Sequence, residues 1–216
     1  MNRAERRQGT PSRAEREAQA KRRQFALYGS LAVLAVVLIV TVVLMSRVPK
    51  TASDAPITAS IAVGQTAPTF SVSTTDGPFD LAKNGGKPTL LEVFATWCPH
   101  CQHEVPIMNR LNTSYKGKLN VVGVEGNDRG MDDTSPASQA DMMTFVQKLG
   151  VTYPVAYDPD LTVAKEYLQS GYPTVVLIGA DNKILAMGGG ELPETNIRQA
   201  IDAVVAGKKP NPTFGQ

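Results

Sequence analysis

Apolar and polar residues follow one another along this chain in three patterns, and each predicts a different kind of element. The first is an unbroken run: Phe25 to Met45, FALYGSLAVLAVVLIVTVVLM, holds 21 residues and no charge. As a helix it is apolar on every side and about 30 Å long, enough to cross a bilayer; a buried core helix is the alternative, but it normally keeps a polar edge. The second pattern is the short apolar run of strand length. Thr89 to Ala95 (TLLEVFA), Leu119 to Val124, Thr152 to Ala156, Thr174 to Ile178 and Lys183 to Met187 read as strands. The first is nearly continuous, hence central and covered on both faces. Ahead of it, Thr69 to Ser73, a turn at Asp76-Gly77-Pro78 and Phe79 to Leu81 read as a hairpin. The third pattern has helical spacing. Val105, Met108 and Leu111 share one face of a helix from Pro99 to Tyr115, with Pro99 suited to the first turn and Pro106 expected to bend it. Ser138 to Asp141 resembles a capping box at the head of the next helix, after a polar loop from Glu125 to Ala137. Further helices are expected from Leu161 to Leu168 and from Glu194 to Ala206.

This succession makes the folded part an α/β domain. The organisation expected is a basic arm (1–24), a transmembrane helix (25–45), a tether rich in Pro, Ser, Thr and Ala (46–66), one globular domain (67–207) and a short tail (208–216). Charge sharpens the division, since residues 1–50 carry 10 Lys/Arg against 3 acids and residues 51–216 carry 12 against 17. A positive field confined to one end argues against a nucleic-acid partner. Eight basic residues precede the apolar run and only Arg47 and Lys50 soon follow it. The N-terminus is therefore expected in the cytoplasm and the domain outside it, anchored in the cell membrane by a single pass with the lipid bilayer around residues 25–45. A cleaved signal peptide is the alternative, although its apolar core usually has about 7–15 residues and Thr51-Ala52-Ser53 is a weak cleavage site. In both readings residues 51–216 stand where disulfides form and persist.

Only two cysteines occur, and they lie in one motif, Cys98-Pro99-His100-Cys101, so no other Cys is available for a structural disulfide. A Cys at the start of a helix meets free backbone N–H groups and the positive end of the dipole, which favour thiolate over thiol. Cys98 is thus expected to be the exposed nucleophile that attacks a disulfide. Cys101, one turn on, is expected to close on it as a redox disulfide and release the reduced partner. A structural zinc site wants four protein ligands and there is no second Cys pair. His100 and His103 are the only histidines, so metal held by the two cysteines and one His is a lesser alternative. Haem attachment is excluded because Gln102 follows Cys101. No cofactor and no resident metal are expected.

The segment Phe94-Ala95-Thr96-Trp97-Cys98-Pro99-His100-Cys101, with Glu104 and Pro106 in the following helix and Gly171-Tyr172-Pro173-Thr174 ahead of an apolar strand, resembles the TlpA/ResA-like branch of the thioredoxin superfamily, on its redoxin side. The likeness runs from about Ala62 to Ala206. It implies a thioredoxin-like three-layer sandwich with a mixed central sheet, an N-terminal hairpin and an extra helix-strand insertion. It further implies that Pro173 is a cis-proline facing the dithiol, leaving the Tyr172 backbone free to pair with an extended substrate; an ordinary turn proline is the alternative. Glu92, six residues before Cys98, stands where such enzymes often keep a buried acid, and burial would raise its pKa and suit it to pass protons. Glu125 matches in kind an acid often found near the site, or is a solvated loop carboxylate. Trp97 is read as the rim beside Cys98, with packing as the alternative.

The function implied is thiol-disulfide exchange with extracytoplasmic protein thiols or disulfides, recycled by a membrane redox partner. The direction is left open by two cues. The family suggests a dedicated reductant, for example in cytochrome c maturation, whereas Pro99-His100 is the dipeptide of DsbA-like oxidants, where His100 would favour the Cys98 thiolate; the balance of the two leans slightly toward an oxidising or general exchange role. A peroxiredoxin-like peroxidase is a second enzymatic reading, against which Ala95 stands where that chemistry usually keeps a Thr. A non-enzymatic copper or thiol carrier is the reading from another class.

Overall fold

A computed structural model describes Leu38 and residues 61–215, and the arm, the expected membrane span and most of the tether lie outside these residues. Among the described residues no helix is long and apolar enough to cross a membrane. The elements are β1 (Ser71–Thr74), β2 (Gly77–Asp80), a 3-10 turn (Leu81–Lys83), β3 (Thr89–Phe94), α1 (Pro99–Ser114), β4 (Asn120–Glu125), α2 (Gln139–Leu149), β5 (Val155–Tyr157), α3 (Thr162–Tyr167), β6 (Thr174–Ile178), β7 (Ile184–Gly189) and α4 (Glu194–Val205). They form one seven-stranded sheet in the order β2-β1-β5-β4-β3-β6-β7.

The continuous apolar run of β3 is explained by its place. All six residues are buried, with β4 parallel on one side and β6 antiparallel on the other. Period two then sorts its side chains between two cores. Leu90 and Phe94 face α1, α2 and α4 through Val105, Met108, Phe145 and Ile197. Leu91 and Val93 face α3 through Val163, Ala164 and Tyr167. Helices on both faces make the sandwich three-layered. Parallel pairing is confined to β3-β4-β5, and the antiparallel β1-β2 hairpin and β6-β7 pair make the sheet mixed. Between β4 and α3 lie α2 and β5, the added helix and strand.

Both ends of the domain cover an edge. The Gly64 and Ala67 N–H groups bond to Ile184 O and Asn182 O at 2.8 Å each, and Met187 N–H to Pro212 O at 3.0 Å. Phe214 is 1% exposed and packs into the core under α4. Residues from the expected tether and tail thus pair along the outer side of β7, which leaves that edge strand little free backbone. Helix boundaries follow local chemistry. Ser138 caps α2 by accepting the Asp141 N–H at 3.1 Å, and Gly150 closes it in the left-handed conformation. α1 runs through Pro106 without a break.

Candidate active site

The dithiol stands where β3 ends and α1 begins, at the carboxyl edge of the parallel strands. Cys98 is the N-cap of α1 and Pro99 opens the helix, so the thiol sits at the positive end of the helix dipole. The loop is clamped from within: Cys98 N–H bonds to Ala95 O at 3.1 Å and the Gln102 side-chain amide to Thr96 O at 3.0 Å. Both cysteines are free thiols in this structure. Cys98 is 4% exposed and Cys101 fully buried, so the expectation of an openly exposed Cys98 is corrected. The cover comes from the segment before β6, where the Tyr172–Pro173 peptide is cis and the Cys98 thiol donates to Tyr172 O at 3.6 Å.

Burial and hydrogen bonding separate the two sulfurs. Cys98 is lowered to about 6, first by a hydrogen bond from the Cys101 thiol; burial opposes this, and the backbone N–H groups of Cys101 and His100 and the His100 charge add to it. Cys101 is pushed far up by burial, by its bond to Cys98 and by the Glu92 charge. This is the asymmetry an attacking and a resolving thiol require.

Period two sends Glu92 to the same face as Leu90 and Phe94, beneath α1. It is 1% exposed, and its Oε2 accepts from the Tyr153 hydroxyl at 2.9 Å while Oε1 has no partner. Glu104, one turn beyond Cys101, is fully buried with neither oxygen partnered. Burial raises the pKa of both, and for Glu104 the charges of Glu92, Glu191 and Cys98 raise it further. With Glu92 raised to about 7 and Glu104 to about 9, the pair behind the dithiol is partly ionised near neutral pH and can take up a proton and hand it on.

Glu125 is no solvated loop residue. β4 extends one residue further than its apolar run, because Glu125 pairs in register with Phe94 and Tyr157, and the side chain is fully buried. Burial pushes its pKa up to about 8, against a hydrogen bond from Asn127 Nδ2 to Oε1. Trp97 combines both roles read for it. Half-buried, it meets the Tyr172 ring edge-on at 6.0 Å, donates from Nε1 to Asn127 Oδ1 at 2.9 Å and carries the Arg129 guanidinium 4.2 Å over its face. His100 is exposed, and its Nδ1 lies 3.0 Å from Glu191 Oε2.

The structure thus gathers Trp97, Cys98, Pro99, His100, Cys101, Tyr172 and Pro173 at the head of α1, with Glu92 and Glu125 buried beneath. Sequence reasoning gave no role to Glu104, although its spacing from Cys101 and its place beside Val105 on the buried stripe of α1 signalled it. Tyr153, Asn127, Arg129 and Glu191 carried no such signal, since each reaches the site from a distant loop.

The chain is similar to known proteins over the whole of this domain. A family model described as Redoxin matches residues 62–204. The chain is 34% identical over 130 residues to the thiol-disulfide oxidoreductase ResA of Bacillus thuringiensis (strain Al Hakam), covering 60% of this chain and 70% of that one. It is 29% identical over 140 residues to the thioredoxin-like protein YneN of Bacillus subtilis (strain 168), covering 64% and 78%. A crystal structure of a thiol:disulfide interchange protein of the thioredoxin family from Chlorobium tepidum TLS superposes with a TM-score of 0.55 at 26% identity, over 68% of this chain and 99% of that one. With the family match extending from the covered edge of β7 to the last helix, and a thiolate-favouring Cys at the head of α1, this chain belongs to the Redoxin family and is a thioredoxin-like thiol-disulfide oxidoreductase.

Proposed function

We propose that this chain is a membrane-anchored, extracytoplasmic enzyme that exchanges disulfides with protein substrates through Cys98 and Cys101, and that it works toward the reducing side. The observation that carries the direction is the contact of His100 with Glu191 at 3.0 Å, because the carboxylate offsets the charge that the imidazole could turn on the thiolate. The Cys98 thiol, lowered to about 6, agrees with it. That is near the value of about 7 in thioredoxin, a reductant, and far from about 3.5 in DsbA, a strong oxidant. A dedicated reductant in cytochrome c maturation is the specialised form of this role that the family resemblance favours.

The Cys98 thiolate attacks one sulfur of a substrate disulfide, forming a mixed disulfide and expelling the other substrate sulfur, which takes up a proton. Cys101 then loses its proton to the buried carboxyl pair, with Glu92 as the acceptor, and attacks Cys98 Sγ. A Cys98–Cys101 disulfide forms, the second substrate thiol leaves, and two electrons have passed to the substrate. An extended substrate segment pairs with the backbone at Tyr172, ahead of Pro173, and lies along Trp97. A membrane redox partner returns the electrons.

Equilibration of the full chain with glutathione buffers tests the direction: a potential well below that of DsbA, about −120 mV, is expected, and one at that level favours the oxidant. Alkaline phosphatase fused after Gln216 tests the location, and activity is expected only with the domain outside the cytoplasm.

A further inference from the structure

The loop after β4 joins the rim of the site to a buried carboxyl through one side chain. Asn127 is 4% exposed, and each end of its amide is engaged. Its Oδ1 accepts from Trp97 Nε1 at 2.9 Å and from the Arg129 N–H at 2.8 Å. Its Nδ2 donates to Glu125 Oε1. An amide with two donors at its oxygen and a carboxyl at its nitrogen has a single orientation that satisfies all three. The backbone around it is fixed as well: Gly126 N–H bonds to Phe94 O at 3.1 Å, and Gly126 O accepts the Tyr172 hydroxyl at 2.7 Å. Arg129 is held over the indole by an ion pair with Asp133 at 2.6 Å.

We propose that Asn127 is a positioning residue for disulfide exchange: it locks the Trp97 indole into the wall beside Cys98 and ties that wall to the protonation state of Glu125. Geometry carries the first half, because the indole N–H has its partner in Asn127. The second half follows from the buried Glu125 Oε2, which has no partner, while Oε1 holds Asn127. On ionisation the Asn127–Glu125 bond becomes charge-assisted and roughly twice as strong, drawing the amide toward β4 and the indole with it. The groups that share this space with Glu125 are Asp141 on α2, Asp158 beyond β5, Tyr157 on β5, Tyr172 ahead of β6, and Asp128 and Arg129 in the loop. Of these, Asp158 is fixed by the N–H groups at the head of α3 and Asp141 by the Ser138 hydroxyl. Burial, with the Asp141 and Asp158 charges, puts the Glu125 carboxyl at about 8, in a range where its ionisation can be followed.

The chain offers its own probe, since Trp97 is its single tryptophan. In the full chain carrying Cys98→Ser, kept in mild detergent, the Trp97 emission is recorded against pH. A transition centred near the Glu125 value is expected, absent in Cys98→Ser/Glu125→Gln. With Cys98 present, Asn127→Ala should raise KM for insulin disulfides about fivefold, the worth of one neutral hydrogen bond, and leave the thiolate titration of Cys98 in place. Glu125→Gln, which keeps an acceptor for Asn127 but cannot ionise, should abolish the change of KM that the parent shows between about pH 7 and 9. A flat emission profile, or a transition that survives Glu125→Gln, overturns the link to the carboxyl whether or not Asn127→Ala folds. An unchanged KM in folded Asn127→Ala overturns the positioning role. The consequence for KM rests on Cys98 being the attacking thiol; exchange activity persisting in Cys98→Ser would sink that assignment and leave the emission result standing.

Discussion

The Tyr153 hydroxyl donates to Glu92 Oε2 at 2.9 Å and passes beside Gly123, which faces Glu92 across the β3-β4 pair. A Cβ added at Gly123 would lie 2.9 Å from Tyr153 Cε2 and 3.3 Å from Phe94 Cε1. Absence of a side chain at that position is what lets the phenol reach the buried acid.

Tyr153→Phe removes the one hydrogen bond that favours ionised Glu92, and Gly123→Ala displaces the same ring. A hydrogen bond to a charged group is worth about 1.5–3 kcal/mol, or about one to two pKa units. If Glu92 takes the Cys101 proton, release of a mixed disulfide formed at Cys98 should move to higher pH by about that interval in both variants. Single-turnover release followed by quenched-flow mass analysis checks it. An unmoved pH profile counts against Glu92 as the acceptor.

Brief iodoacetamide treatment of the reduced chain should label Cys98 before Cys101, with a midpoint at about pH 6. Thiolate character works for Cys98 and burial against it, at 4% exposed. The rate should therefore fall steeply with reagent size while its pH midpoint stays in place. Peptide mapping that found Cys101 alkylated first would reverse the two roles.

Much of this was legible in the sequence, because the decisive signals were local. The uninterrupted β3 run, the Cys98-Pro99 start of α1 and the Ser138 cap of α2 each carry their chemistry within a few residues, and the structure places them as expected. Glu125 was ambiguous, since one acid at the end of an apolar run fits a strand end and a loop start equally; its pairing with Phe94 and Tyr157 decided it. The cis Tyr172–Pro173 segment beside the dithiol was read through the family resemblance and stands there, but that it leaves Cys98 only 4% exposed was not, because no local pattern around Cys98 reports the approach of residues so far along the chain. Nor could the docking of Phe214, which a polar tail of nine residues gives no spacing to reveal.

Glu125 also sets a pH dependence of stability. Its folded pKa of about 8 lies above that of an unfolded glutamate, near 4.5, so the protonated form favours the fold. That stability is fully present below about pH 4.5 and is lost as pH rises through about 8. Glu125→Gln keeps the acceptor for Asn127 and removes the titration. The variant should gain on the parent between about pH 5 and 9, by up to several kcal/mol. Urea midpoints of both proteins at the two ends of that range give the difference, and parallel curves would show that Glu125 ionises as freely as in water.

His100→Thr separates the imidazole from the rest of the thiolate's support. The His100 backbone N–H stays with Cys98 in the variant, as do the Cys101 thiol and N–H that stabilise it most. What is lost is the His100 charge, the smallest of the contributions lowering Cys98, and Glu191 already stands 3.0 Å from the ring. The Cys98 thiol should therefore rise by less than about one pKa unit, and the disulfide should become less oxidising by under about 30 mV, the two-electron equivalent of one such unit. Glu191→Gln alone should move the potential the other way, because it frees the imidazole charge from its counter-ion, and the double variant should fall back to the His100→Thr value. Glutathione equilibration of the three variants measures all of these shifts. A His100→Thr change of about 60 mV or more would mean that the imidazole acts on the thiolate directly despite Glu191, and the oxidising role would then be the better description of this dithiol.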